Sequence, residues 1–183
     1  MRFEPIPLTG GYLIHLDPRA DQRGTFARAF CAQDFSANGL ESVFVQANVS
    51  TNTRAGTVRG MHFQRPPHAE MKLLSCLRGE MWDVAVDLRV GSPTYLHWHA
   101  ELLSADNHRA LLIPEGFAHG YQTLSDNVEL LYCHSSAYAP AAEDGLNPRD
   151  PRLAIAWPLP IDELSKRDAA LPSFTAAFQG IRL

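Results

Sequence analysis

Cysteine is scarce in this chain of 183 residues: Cys31, Cys76 and Cys133 stand far apart. No CxxC pair occurs and the count is odd, which argues against a disulfide framework or a zinc ribbon. Reduced thiols in a cytoplasmic protein fit this usage better. Cys76 and Cys133 sit inside apolar runs and read as small core residues rather than nucleophiles. Long apolar runs are also missing, so no stretch is of a length to span a bilayer. The opening MRFEPIPLTGGYLIHLDP has no basic flank leading into a long apolar core, and does not read as a signal peptide. Positive charge is not in excess. The formal net charge is −4, which argues against a general nucleic-acid binder, although a pocket can be basic on an acidic protein. No GxxxxGK[ST], GxGxxG or GxSxG pattern is present, so P-loop, Rossmann and nucleophile-elbow sites have no support.

What is present is an ordinary globular composition, 45% hydrophobic and 20% charged, of a length for one domain over residues 1–183. Turn signals recur at Thr9-Gly10-Gly11, Gln22-Arg23-Gly24, Arg65-Pro66-Pro67, Arg78-Gly79, Gly91-Ser92-Pro93 and Pro114-Glu115-Gly116. Short runs lie between them: Val43–Asn48, Lys72–Leu77, Met81–Leu88, Thr94–Leu103, Ala110–Ile113, Gly120–Leu124 and Val128–His134. Met81, Asp83, Ala85 and Asp87 alternate with Trp82, Val84, Val86 and Leu88, a period of two that favours strand over helix. Many short strands at regular spacing predict an all-β sandwich, barrel or jelly roll. Helices are expected only at Ala32–Ala37 and Asp162–Ala169, and Pro140–Pro158 reads as an ordered loop.

The stretch RGMHFQRPPHAEMKLL, Arg59–Leu74, concentrates polar chemistry. It reads as a loop with His62 near one end and Lys72 near the other. A histidine with a carboxylate partner can take a carbon-bound proton near neutral pH. A lysine beside a carbonyl can stabilise the resulting enolate, and a tyrosine on the opposite face can return the proton. His62, Lys72 and Tyr132 are of the right types; the alternative is that they are simply packed or exposed. A metal reading competes. Gly91, His97 and His99, followed by Pro114, Gly116 and His119, resemble halves of a metal-binding cupin motif. The pattern then breaks, because Glu101 follows His99 too early and a later glycine is missing; His97 and His99 then lie on the outer face of a strand. Among Arg23, Arg28, Arg54 and Arg59, the first and last precede glycines. That spacing suits a phosphate-facing turn or a solvated one.

A longer set of stretches narrows the choice. In order they are RGTF at Arg23–Phe26, VQANVS at Val45–Ser50, RGMHFQ at Arg59–Gln64 and KLL at Lys72–Leu74. RGEMWDVAVDLRVGSPTY at Arg78–Tyr95, LSADN at Leu103–Asn107 and IPEGFAHGYQTLSD at Ile113–Asp126 follow. ELLYCHSSAYAP at Glu129–Pro140 and DPRLAIAWP at Asp150–Pro158 complete the set. With them the chain resembles the dTDP-4-dehydrorhamnose 3,5-epimerase family from Pro5 to about Pro172. The resemblance implies an all-β, cupin-type jelly-roll barrel with a few short helices. It also implies a homodimer that uses neither metal nor cofactor, with a nucleotide sugar as substrate, and composition adds the expectation of a cytoplasmic protein with no membrane or nucleic-acid partner. Residue by residue, His62 matches the catalytic base, Asp168 its carboxylate partner, Tyr132 the proton donor and Lys72 the lysine at the enolate oxygen. Arg23, Phe26, Arg28, Gln46, Asn48, Arg59, His119, Glu143 and Arg167 fall at substrate-binding positions, and Tyr138 at the tyrosine that stacks on the base.

The match is incomplete. Arg28 stands where the family has a glutamate, Ala47 replaces an acidic or polar residue, Asn147-Pro148-Arg149 replaces a stretch with a tryptophan, and Arg167 replaces a lysine. Thymine offers an N3–H donor that a carboxylate accepts, whereas Arg28 can only donate. Two alternatives follow: a changed base preference, such as a CDP-linked sugar, or a dTDP-sugar with Arg28 turned to a phosphate or to solvent. A 5-only or 3-only epimerase, and a sugar-nucleotide-binding protein without turnover, remain as further alternatives.

Overall fold

Alternation along the strands decides the architecture of the computed structural model, which describes residues 1–40, 43–175 and 178–183. The chain begins with β1 (Arg2–Pro5), β2 (Tyr12–His15), the hairpin β3 (Arg19–Asp21) and β4 (Gly24–Phe26), and helix α1 (Ala32–Ala37). Then come β5 (Gln46–Asn52), β6 (Thr57–Gln64), β7 (Lys72–Arg78), β8 (Glu80–Asp87), β9 (Trp98–Ser104), β10 (Arg109–Ile113), β11 (Phe117–Thr123) and β12 (Val128–His134). The end holds β13 (Glu143–Gly145), β14 (Glu163–Leu164) and helix α2 (Lys166–Ala169). Two sheets form, in the orders β1-β2-β10-β7-β12-β5 and β13-β6-β11-β8-β9, with β14 added alongside β6. Together they make the all-β jelly-roll arrangement, and no helix among the described residues is long and apolar enough to cross a membrane.

The two-residue period sorts side chains between layers. From β8, Met81 and Ala85 point between the sheets and pack with Leu74, Leu103, Leu111, Phe117, Tyr121 and Leu130. Val84 and Val86 point outward, where Met61, Phe63, Leu146, Leu153 and Phe174 cover them. The outer face of the other sheet buries Ile14, Leu73 and Leu112 against Phe35 of α1. A strand buried on both faces needs apolar residues at consecutive positions, which Val84, Ala85 and Val86 supply at the centre of β8. Each fully buried Leu or Met contributes roughly 1.5–3 kcal/mol. Cys76 belongs to the inner core, and burial pushes its thiol up to about 11. Cys133 is likewise raised by burial.

The strands expected at Lys72–Leu77, Met81–Leu88, Ala110–Ile113 and Val128–His134, and the helix Ala32–Ala37, form within a residue or so. Other expectations shift, among them the strand expected at Gly120–Leu124, which runs from Phe117 to Thr123. The run at Val43–Asn48 becomes a strand only at Gln46 and continues to Asn52. Thr94–His97 is a turn, with Leu96 at φ 63°, before β9 begins. The helix expected over Asp162–Ala169 is confined to Lys166–Ala169, because Glu163 and Leu164 pair with Thr57 and Val58 instead. Within Pro140–Pro158, three residues form β13 against β6.

The Arg59–Leu74 stretch is the main correction. His62 and Lys72 do not end one loop. His62 lies inside β6 of one sheet, Lys72 opens β7 of the other, and residues 65–71 cross between the sheets. Pairing with β11 on one side and β13 on the other holds RGMHFQ as a strand. Gly60 sits at φ +125°, and a Cβ placed there would lie 2.5 Å from the Gly120 Cα. The β6–β11 register shifts at that point, between His119 and Tyr121. We expect Gly60→Ala to destabilise the fold by roughly 3 kcal/mol, combining backbone strain with overpacking. Urea denaturation measures this; an unchanged midpoint would contradict the close approach.

Candidate active site

The inner faces of the two sheets carry polar side chains at one end of the core. His62 on β6 is in direct register with His119 on β11. Facing residues of an antiparallel pair share a sheet face with Cβ atoms roughly 5 Å apart. The opposite wall comes from β7, β12 and β5, where Lys72 is in register with His134, His134 with Gln46, and Tyr132 with Asn48. Three adjoining cavities of about 380, 340 and 250 Å³ share His62 in their linings.

On the first wall, His62 Nε2 lies 2.8 Å from Asp168 Oδ1. Asp168 is the third residue of α2, and its own backbone N–H donates to the Ser165 hydroxyl that caps the helix. Burial alone would raise the Asp168 carboxyl. The hydrogen bond and charge of His62, with smaller help from the Gly60 N–H and Ser165, outweigh it and hold the group below the usual carboxylate range. A carboxylate accepting from Nε2–H leaves Nδ1 of His62 as the lone-pair site.

From the second wall, the Tyr132 hydroxyl reaches across to His119 Nδ1 at 2.7 Å, and on the first wall His119 Nε2 lies 2.7 Å from Asp83 Oδ1. Burial drives His119 below the ordinary imidazole value despite the pull of Asp83. Burial also lifts Tyr132 well above the ordinary phenol value, joined by repulsion from Asp83, Glu70 and Glu143. Tyr132 is therefore a neutral O–H donor near neutral pH. Lys72 Nζ lies beside this pair, 6.0 Å from the Tyr132 ring centre and 3.2 Å from the His62 carbonyl oxygen to which it donates.

The rim is a separate cluster. Glu143 Oε2 accepts from the Tyr138 hydroxyl and from Arg167 Nη2, each at 2.5 Å. Burial opposes ionisation of Glu143, but those two partners prevail and keep it below the usual range. The Tyr138 phenol is raised chiefly by the same hydrogen bond. Arg59 donates from Nε to Asn52 Oδ1 at 2.8 Å, and its guanidinium is exposed at the cleft.

The linings thus bring together His62, Lys72, Tyr132, Asp168, Gln46, Asn48, Arg59, His119, Tyr138, Glu143 and Arg167. Arg23, Phe26 and Arg28 stand elsewhere. Arg23 pairs with Asp21 on the β3–β4 hairpin, Phe26 is 77% exposed, and Arg28 faces Asp34 at 3.7 Å. His119 has both ring nitrogens engaged inside the protein, so it holds Tyr132 rather than presenting a free N–H to a ligand. Ala47 is exposed on β5, and the Pro148 carbonyl accepts from the Trp157 indole. His99 pairs with Glu101 at 2.8 Å. His99 and His119 are both in register with Ala85, one on each side of β8, which separates them by roughly two strand spacings of 4.8 Å. Among the described residues no three His, Cys, Asp or Glu side chains group as a metal would need.

Sequence reasoning missed Asp83, Glu70, His134 and Tyr121. An acid at the core-facing position between Met81 and Ala85 was the available signal for Asp83. Glu70, two residues before Lys72, carried no pattern of its own.

Comparison with known proteins places this geometry. The family model described as dTDP-4-dehydrorhamnose 3,5-epimerase matches residues 5–176. A dTDP-4-dehydrorhamnose 3-epimerase of Streptomyces niveus is 43% identical over 92% of this chain and 81% of its own length. A dTDP-4-dehydrorhamnose 3,5-epimerase of Salmonella typhimurium is 44% identical over 87% of this chain and 89% of its own. The crystal structure of the Bacillus anthracis 3,5-epimerase, with TDP and PPi bound, superposes with a TM-score of 0.92. It is 39% identical, over 94% of this chain and 99% of that one.

Proposed function

This chain belongs to the dTDP-4-dehydrorhamnose 3,5-epimerase family, and on that premise we propose that it inverts C3, C5 or both of a dTDP-linked 4-keto-6-deoxyhexose. It is an isomerase of deoxysugar, rhamnose-type biosynthesis. The 4-keto group acidifies the hydrogens on C3 and C5. His62, held by Asp168, takes one of them and leaves an enolate whose oxygen faces the Lys72 ammonium. Tyr132 returns a proton from the other wall, and the centre is inverted. No electrons enter or leave the sugar, so the step needs no redox cofactor.

The observation that carries this reading is His62, held by Asp168, on one wall of the cleft and Tyr132 and Lys72 on the other, with His119 bonded to the Tyr132 hydroxyl across the gap. Arg59 and the Tyr138–Glu143–Arg167 rim are available for the nucleotide. Arg28 has Asp34 as its own carboxylate, which supports the retained dTDP reading over a changed base. Proton NMR of dTDP-4-keto-6-deoxyglucose incubated with the protein tests the assignment through the ring coupling constants. Inversion at both carbons, or at one as in a mono-epimerase, supports it. Inversion of a CDP-linked sugar alone would move the base preference to Arg28. An unchanged spectrum with both would reduce the protein to a binder.

The working unit is a homodimer. The support is the exposed Phe26 on a hairpin that stands away from the pocket of its own chain, exposed Val49 on the edge strand β5 and exposed Val45 just before it. In this reading the hairpin of one copy brings Arg23 and Phe26 to the cleft of the other. Light scattering is expected to give twice the chain mass, and Phe26→Ala to raise KM about tenfold, a loss of about 1.4 kcal/mol. A fully active monomer would overturn the pairing. Three free cysteines support a reducing, cytoplasmic setting.

A further inference from the structure

Glu70 lies outside the mechanism just given, yet it is one of the best enclosed charges in the cleft. Its side chain is 8% exposed, beside Lys72 at 4% and His134 at 9%. Oε1 lies 3.2 Å from Lys72 Nζ and Oε2 2.8 Å from His134 Nδ1. The hydrogen bonds beyond it run in one direction. The Tyr138 N–H donates to Gln46 Oε1, and Gln46 Nε2 donates to Asn48 Oδ1. Asn48 Nδ2 then meets His134 Nε2. An amide N–H at His134 Nε2 fixes the ring as the Nδ1–H tautomer, so His134 donates to Glu70. Every donor in this chain points toward one carboxylate, and Lys72 reaches the same carboxylate from the other side.

We propose that Glu70 is a positioning residue of the epimerisation, the common acceptor that fixes Lys72 at the enolate oxygen and sets the polarity of the His134–Asn48–Gln46 chain. The proposal rests on the reaction assigned above and extends it to a residue that touches Lys72 rather than the sugar. Its chemistry makes a sharp demand. Two donors need two acceptors, and a carboxylate has them. Glutamine has the same shape but one acceptor oxygen and one N–H₂ donor. In Glu70→Gln an N–H is pressed against either the ammonium or the His134 N–H. His134 can escape by moving its proton to Nε2, which then opposes Asn48 and forces that amide to turn. An unpaired buried donor is costly, and the cluster rearranges to avoid it.

The chain has only two lysines, Lys72 and Lys166, which makes the test direct. Lysine-labelled protein gives two side-chain signals, assigned with Lys166→Arg, and histidine labelling reports the His134 tautomer. In Glu70→Gln the Lys72 ammonium is expected to exchange its protons with water at least about tenfold faster, in keeping with the loss of a charge-assisted bond. The His134 proton is expected to move to Nε2. In the same variant kcat is expected to fall by roughly 10- to 100-fold, as for a misplaced catalytic group, with KM within about threefold. Glu70→Asp keeps both acceptor oxygens and is expected to be faster than Glu70→Gln, whereas a purely space-filling role would rank the two the other way. Parental kcat in Glu70→Gln, unchanged Lys72 and His134 signals, or Glu70→Gln outrunning Glu70→Asp would each overturn the proposal. A parent that catalyses no exchange at all would overturn the reaction itself, and the spectra would still decide whether Glu70 organises Lys72 and His134.

Discussion

Replacing His62 by alanine is expected to stop proton removal from the sugar, lowering kcat by roughly 10²- to 10⁴-fold, the usual worth of a positioned general base. The imidazole is the group with a free ring nitrogen on the wall that also carries Asp168. Its loss leaves Asp168 buried beneath the cleft with no group on the sugar side. Nucleotide affinity should change by less than about threefold, because the hydrogen bonds of Arg59, Tyr138 and Arg167 do not run through the His62 ring. Calorimetry with dTDP and NMR exchange on the same preparation separate the two effects. A variant that still exchanges C3 or C5 protons at the parental rate would remove His62 from the role of base.

The second large effect concerns direction rather than removal. Tyr132→Phe deletes one oxygen and keeps the ring, which packs 4.3 Å from the His134 ring centre. His62 can still take a proton and give one back on its own face. Exchange with retention should therefore survive, while inversion slows by roughly 10²- to 10³-fold. The ratio of deuterium uptake to inverted product measures this and should rise by about the same factor. A variant in which exchange and inversion fall together would mean that Tyr132 assists removal, or that another group returns the proton.

Much of this site was legible before the fold was. His62, Lys72 and Tyr132 were singled out by residue type and they line one cleft, and the run Val128–His134 forms the strand expected of it. The order of short strands pointed to the sheets, and Ala32–Ala37 formed the helix expected of it. β6 was not legible, because Gly60, two histidine-flanking apolar residues and two following prolines read locally as a turn. Its strand geometry is supplied by β11 and β13, which are distant in sequence. The helix at Asp162–Ala169 was over-read for the same reason: pairing with β6 claims Glu163 and Leu164. Partners across space were the hardest to see. Nothing local ties Asp83 to His119 or Glu70 to His134, since registers between strands create those contacts. Arg23 and Phe26 on the hairpin, and Arg28 just after it, were grouped with the pocket through resemblance, and within one chain they stand apart from it.

The central claim is that C3 or C5 is inverted by loss of its proton to one wall of the cleft and gain of a solvent-derived proton from the other. The measurement that tests it most directly is NMR of dTDP-4-keto-6-deoxyglucose incubated with the protein in heavy water. The account predicts deuterium at each carbon that inverts, and none with His62→Ala. Inversion without deuterium, or deuterium uptake that His62→Ala leaves untouched, would contradict it.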